Sequence, residues 1–219
     1  MSTLVVAWDI ETCPHAFDSF SDSQQNRYDA ELRARSNKDP DRPRAETSRL
    51  VRSVHPFLGW ICCISAVSGT LEDGPNAPCS WTAKTPDEER ALLSQFWTAV
   101  EEFPSSVRWA TFNGKRFDVP FVTARSLHHG LAPSRHDLQD TYPYNPRPHA
   151  DLIRLWPQHF GLDDLCDLLG VASPKEEIDG SDVAAAVDEG RIDEVAQYAQ
   201  QDVLATFRCL QAAWPLIMK

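Results

Sequence analysis

The chain is predicted to be an α/β protein with a central mixed β-sheet flanked by α-helices. Three observations predict this. Thr3 to Ile10 and Phe57 to Val67 are short, nearly continuous apolar runs rich in β-branched residues, the pattern of buried strands. A long late segment carries Ile192, Val195, Ala199, Val203, Phe207, Leu210 and Trp214, spaced by three and four residues, the stripe of an amphipathic helix. Strand signals dominate the first half and helix signals the second. The length of 219 residues suits one domain, taken as 1–219, with a charged insertion at about 13–55.

The elements follow in order. After the first strand, the insertion is polar, with a surface helix expected over Ser21–Ser36 and a mobile loop over Asn37–Ser48, which carries Pro40 and Pro43. Phe57–Val67 is the second strand and Cys79–Thr82 a short third. Thr85, Pro86 and Glu88 give an N-cap, a first-turn proline and a capping acid, opening a helix through Leu92, Leu93, Phe96 and Val100. Val107–Phe112 is another strand, and Asn113-Gly114 turns the chain into a helix over about Phe117–His129. Leu131–Pro148, rich in proline and tyrosine, is a loop. Leu162, Leu165, Leu168 and Leu169 stripe a short helix ending at Gly170. The last helix begins near Arg191.

Composition narrows the function classes. Hydrophobic residues at 42%, aromatics at 10% and charged residues at 24% describe an ordinary globular protein. No apolar run approaches about 18 residues, so no membrane span is expected. Met1–Ala7 lacks the features of a signal peptide. The six cysteines, at 13, 62, 63, 79, 166 and 209, show no metal-binding spacing and are expected as small buried hydrophobes in a reducing cytoplasm. A net charge of -11 argues against a protein that holds nucleic acid through many phosphate contacts. It leaves room for a site whose acids hold cations, because the cations then meet the phosphate.

Asp9 and Glu11, two apart at the end of the first strand, share one face. Two acids closing an apolar strand repel each other, and burying them calls for compensating positive charge. A divalent cation supplies it, and oxygen ligands suit magnesium or manganese. Alone, the pair is better read as a solvated strand end. Asp118 follows the turn in Thr111-Phe112-Asn113-Gly114-Lys115-Arg116-Phe117-Asp118; by itself it is either a site acid or an acid favoured in a first helical turn. Tyr198 and Asp202 are four apart on the last helix and stand beside its apolar stripe.

Together, Asp-x-Glu, Asn-Gly-x-x-Phe-Asp and Tyr-x-x-x-Asp in this order resemble the DEDD 3′→5′ exonucleases of the tyrosine subtype, which have the ribonuclease H-like fold. The resemblance is nearer to stand-alone relatives of the proofreading domain of B-family DNA polymerases. His149-Ala150-Asp151-Leu152, Gly161-Leu162-Asp163-Asp164-Leu165, Leu169-Gly170-Val171, Asp179-Gly180-Ser181-Asp182-Val183 and Asp202-Val203-Leu204-Ala205-Thr206 agree with it. It implies that Asp9, Glu11, Asp118 and Asp202 hold two ions, Mg²⁺ or Mn²⁺, and that Tyr198 positions the attacking water. It further implies that Thr12, Asn113, Phe117 and Lys175 contact substrate, with Phe117 packing behind the site. The implied activity is removal of nucleoside 5′-monophosphates from the 3′ end of single-stranded nucleic acid, DNA favoured over RNA, with end cleaning in repair or replication as its use. A catalytically idle nucleic-acid- or polymerase-binding domain is the alternative, and retention of all four acids and the tyrosine argues against it.

Two segments stay open. Arg27–Arg52 holds eight basic residues against five acids, fitting either a flap that guides a strand or a solvated insertion. Arg135, Tyr142, Tyr144 and Arg147 lie in the 131–148 loop, fitting either base stacking or a proline-stiffened cover for the core.

Overall fold

A computed structural model describes residues 3–155, 160–174, 178 and 180–217. Its strands are β1 (Leu4–Pro14), β2 (Gly59–Thr70), β3 (Gly74–Pro75), β4 (Cys79–Thr82), β5 (Arg108–Thr111) and β6 (His149–Asp151). They form one mixed sheet in the order β3-β2-β1-β5-β6, with β4 also paired to β2. β1 runs antiparallel to β2 and parallel to β5, and β5 runs parallel to β6. The predicted mixed sheet is therefore present, with helices on both faces.

β1 is apolar on both sides because both sides are covered. Val6, Trp8 and Ile10 enter a core with Leu92, Phe96 and Val122, residues of helices α3 (Glu89–Glu101) and α4 (Asp118–His128). Val5 and Ala7 face the opposite core, with Leu165 of α5 (Leu162–Leu169) and with Val203, Phe207 and Leu210 of the last helix, Ile192–Ile217. Side chains alternate along a strand. Asp9 and Glu11 therefore continue the Val5–Ala7 face, toward that last helix.

Several boundaries follow local chemistry. β4 coincides with the predicted strand, and α5 ends as predicted at Gly170, whose φ of 66° is the left-handed conformation that glycine tolerates. At the start of α3, Pro86–Glu88 forms a separate 3₁₀ turn, and Glu88 accepts from the Lys84 N–H (2.7 Å) rather than closing a box on Thr85. β6 lay inside no predicted strand. A further short helix, Val183–Asp188, was also unpredicted; it is α6, which makes the last helix α7.

The insertion corrects an expectation. It contains two helices, α1 (Asp22–Lys38), opened by a Ser21/Gln24 capping box, and α2 (Arg44–Ser53). Only residues 39–43 link them, so most of the predicted 37–48 loop is not a loop. Phe20, Tyr28, Leu32, Val51 and Leu58 bury together as a small separate core, which gives α2 a reason to fold. Four of the eight basic side chains are already engaged. Arg27 lies 5.6 Å from the Phe57 ring centroid, Arg33 donates to the Asp29 carbonyl, Arg42 pairs with Asp39, and Arg52 donates to the His15 carbonyl.

Among the described residues, no helix is long and apolar enough to cross a membrane. All six cysteines are free; five are buried as expected, and Cys79 is exposed on β4.

Candidate active site

The sheet delivers the first two acids. Asp9 lies opposite Ser65 and Glu11 opposite Cys63, and the β1–β2 register shifts between Glu11 and Thr12. Such a bulge bends a strand and re-aims its side chains. Thr12, half-buried beside the shift, lies next to Glu11 in the chain.

The third acid comes from the turn after β5. Asn113 has φ 68°, a left-handed conformation that asparagine accepts more readily than most residues. A Cβ at Gly114 would meet the Thr111 Cβ and Oγ1 at 2.4 Å, so the turn has no room for a larger residue there. Asp151 of β6 secures the turn from below: its carboxylate accepts from the Asn113 N–H (2.7 Å) and the Lys115 N–H (3.1 Å). Asp118 then opens α4, with its Oδ1 accepting the Ile10 N–H at 3.0 Å. Ile10 lies beyond the last β1–β5 pair, Ala7 with Ala110, so the carboxylate takes up a strand N–H where the ladder has ended.

The fourth acid comes from α7. Asp202, Asp9 and Glu11 offer carboxylate oxygens that all lie within 4.8 Å of one another. Asp118 adjoins this group through Asp9, whose proton affinity its carboxylate raises. Tyr198, one turn before Asp202, is half-buried against the core; its hydroxyl lies 4.0 Å from where a side chain at Gly180 would begin. The roll of α7 is fixed nearby: Gln200 donates to Ser80 Oγ (2.9 Å), which is hydrogen bonded to Ser65 (2.7 Å), the partner of Asp9.

Burial and mutual repulsion dominate the electrostatics of Asp9, Glu11 and Asp118. Burial pushes Asp9 well above the ordinary carboxylate range, and the Asp118 charge pushes it further. Burial does the same to Glu11, and its recorded neighbours Asp9, Asp202, Asp118 and Cys13 each add to the rise. Asp118 is pushed up to about 7, chiefly by burial. The contact between the two side chains raises Asp9 and lowers Asp118, so of the pair Asp9 is the one it favours in the protonated form.

The predicted site residues thus fall into groups. Asp9, Glu11, Asp118 and Asp202 come together, with Tyr198 on the same stretch of α7. Asn113 forms the supporting turn. Phe117 is half-buried, 5.5 Å from the Phe121 ring, and packs against the core. Lys175 lies outside the described residues. Arg135 is not available for stacking on bases: it is buried, paired with Asp137, bonded to the Val100, Phe103 and Pro104 carbonyls, and 5.1 Å from the Trp109 ring.

Two supporting residues had no predicted role. Lys115 is buried, and its ammonium donates to Asp140 (2.6 Å) and to the Tyr142 (2.6 Å) and Asn145 (2.8 Å) carbonyls. Glu89, fully buried, accepts from Arg125, His129 (2.7 Å) and the Ile61 N–H (2.7 Å), joining α3, α4 and β2. In the sequence, Glu89 looks like one of several acids at a helix start.

Comparison with known proteins places this geometry in context. Residues 58–211 match the model of a family described as predicted 3′–5′ exonucleases related to the exonuclease domain of PolB. The fold is similar to the family B DNA polymerase from the hyperthermophilic archaeon Pyrobaculum calidifontis, with a TM-score of 0.66 and 19% identity over 99% of this chain and 25% of that one. It is also similar to product-bound exonuclease I, with a TM-score of 0.54 and 13% identity over 99% of this chain and 45% of that one. The chain therefore spans a quarter of the first protein and under half of the second, and the likeness establishes the ribonuclease H-like fold. A comparison with curated protein sequences gave no match.

Proposed function

Because the chain belongs to the family of predicted 3′–5′ exonucleases related to the exonuclease domain of PolB, we propose that it hydrolyses single-stranded nucleic acid from the 3′ end and releases nucleoside 5′-monophosphates. DNA is the favoured substrate, and cleaning of DNA ends in the cytoplasm the favoured use. We read the whole chain as one exonuclease domain.

The observation that carries the proposal is the meeting of Asp9, Glu11 and Asp202 within 4.8 Å, with Asp118 beside Asp9. The donor set is all carboxylate, which fits Mg²⁺ or Mn²⁺ and gives zinc none of the nitrogen or sulfur it usually takes. Burial and repulsion raise the proton affinities of Asp9, Glu11 and Asp118, and bound cations would offset both. Asp9, Glu11, Asp118 and Asp202 would hold two ions, which supply positive charge to the phosphate oxygens and make a water more acidic.

The chain's own groups do the rest. Tyr198 holds the water by a hydrogen bond from or to its hydroxyl. With an ordinary pKa near 10, a tyrosine is a poor base at neutral pH, so its role is orientation. The Asp151-braced turn keeps Asp118 in place while its charge changes. Thr12 and Asn113 seat the terminal nucleotide, Phe117 backs them, and Lys175 contacts the substrate.

The test is digestion of a 5′-labelled single-stranded oligonucleotide with Mg²⁺, Mn²⁺ or chelator, beside an Asp9→Ala/Asp202→Ala double variant and an RNA version. A ladder shortening from the 3′ end, absent in chelator and in the variant, is the expected result. Intact oligonucleotide with either metal, from folded protein, refutes the proposal. The RNA lane ranks the two substrates.

A further inference from the structure

The turn that carries Asp118 also holds a second piece of chain. The Lys115 side chain is 1% exposed, and its three recorded bonds run to residues 140, 142 and 145. Desolvating an ammonium is costly unless its partners are well placed, so this segment is held as firmly as the turn itself. Yet the side chains it presents lie in solvent: Tyr142 is 64% and Tyr144 77% exposed. Fixing the backbone under exposed rings adds nothing to the core. It does prepay the ordering cost of a contact made by those rings.

Tyr144 borders a recess of about 160 Å³ with Asn145, Pro146, Asp151, Leu152 and Arg154. The Asp151 carboxylate is engaged with the Asn113 and Lys115 N–H groups. Arg154 Nε is buried and has no hydrogen-bond partner among the described residues. A buried donor without an acceptor is uncommon, and although the Arg154 charge acts on Asp151, its Nε still has an unmade bond that a small side-chain movement could offer to the recess. An aromatic face, an arginine donor and an apolar floor together suit a nucleobase with its polar edge or phosphate. The recess lies at the end of β6 where Asp151 sits, two strands from β1 and so about 10 Å across the sheet from the Asp9 strand.

We infer that this recess is a second nucleotide subsite, in which one base of the single strand, behind the terminal nucleotide, stacks on Tyr144 and is bonded by Arg154. The inference rests on reading the four acids as the exonuclease site. It assigns the Lys115 tether a purpose: the subsite and the Asp118 turn move as one body, which fixes the register between a held base and the bond to be cut.

The test compares wild type, Tyr144→Ala, Tyr144→Phe and Arg154→Gln on a dinucleotide and a dodecamer, in DNA and RNA forms. Affinity for labelled dodecamer is measured with Ca²⁺, and hydrolysis of both lengths with Mg²⁺. Tyr144→Ala is expected to weaken dodecamer binding about tenfold, the loss of one stacked base, and to raise KM for the dodecamer far more than for the dinucleotide. Tyr144→Phe keeps the ring and restores both, and Arg154→Gln weakens the dodecamer again. Dodecamer affinity equal to wild type in Tyr144→Ala overturns the subsite while wild-type hydrolysis still upholds the exonuclease. Dodecamer binding that depends on Tyr144, with no hydrolysis by wild type, upholds the subsite and removes the exonuclease. Absence of both binding and hydrolysis in wild type overturns both.

Discussion

Replacing Asp118 by asparagine is expected to stabilise the metal-free protein while abolishing hydrolysis. Asp118 is 1% exposed, and its proton affinity rises from an ordinary 3.8 to about 7, burial being the largest cause. A carboxyl whose pKa is raised on folding binds more protons folded than unfolded between those values, so its contribution to stability is present below 3.8 and is lost as pH rises through about 7. At about 1.4 kcal/mol for each pH unit, that interval corresponds to about 4 kcal/mol, an upper figure because an ionised site draws in water. Asparagine keeps an acceptor for the Ile10 N–H, now bonded at 3.0 Å, and offers an N–H to Asp9. The expected gain in chelator is therefore up to about 4 kcal/mol at pH above 8, or on the order of 10 °C in Tm. It is expected to vanish near pH 4. The assay is urea unfolding of both proteins in chelator across this range, repeated with Mg²⁺, which is expected to stabilise wild type more than the variant. Equal or lower stability of Asp118→Asn at high pH, or a difference independent of pH, refutes the account of a carboxyl whose proton affinity is raised by burial.

Three further outcomes are expected. Glu89→Ala leaves Arg125 buried without its partner and is expected to destabilise by about 3–5 kcal/mol in urea unfolding. Although burial alone would raise the Glu89 pKa, the Arg125 and His129 bonds leave it lowered from 4.5, so its stabilising contribution is present above 4.5 and is lost as pH falls through its folded value; acid titration of wild type against Glu89→Gln reads this directly. Gly114→Ala sets a methyl against Thr111, whose hydroxyl is bonded to His149 at 2.8 Å and has little freedom to move. The expected cost is about 1–3 kcal/mol together with slower hydrolysis, and wild-type kcat in a folded Gly114→Ala protein would count against the turn as the support of Asp118. Tyr198→Phe is expected to lower kcat by about 10²-fold while leaving Mn²⁺ affinity by calorimetry as in wild type; a parallel loss of affinity would make Tyr198 a support of the cation site instead.

Local chemistry made much of this fold legible. β1, β2 and β4 announce themselves by composition, and α5 by its leucine stripe and terminal glycine. The four acids are legible only jointly, because each has an ordinary explanation where it stands and their order along the chain is what joins them. The missed elements are held by others. β6 is three residues long and exists because β5 offers it a parallel edge. α2 buries only Thr47 and Val51, too short a stripe to stand out from its arginines. Lys115 and Arg135 look like surface cations in sequence, but Lys115 finds its partners 25 to 30 residues ahead and Arg135 lies over Trp109, more than 20 positions earlier.

The acids also set a schedule. They stand at positions 9, 11, 118 and 202, and the last arrives on a helix that must dock across a finished sheet. Synthesis supplies the N-terminal portion first, at about 5–20 residues per second. Every shorter chain therefore carries an incomplete set of the four acids, and in every partly folded one α7 has yet to bring Asp202 to β1. Whatever chemistry the proposed site performs is thereby held back on the ribosome until the fold is complete.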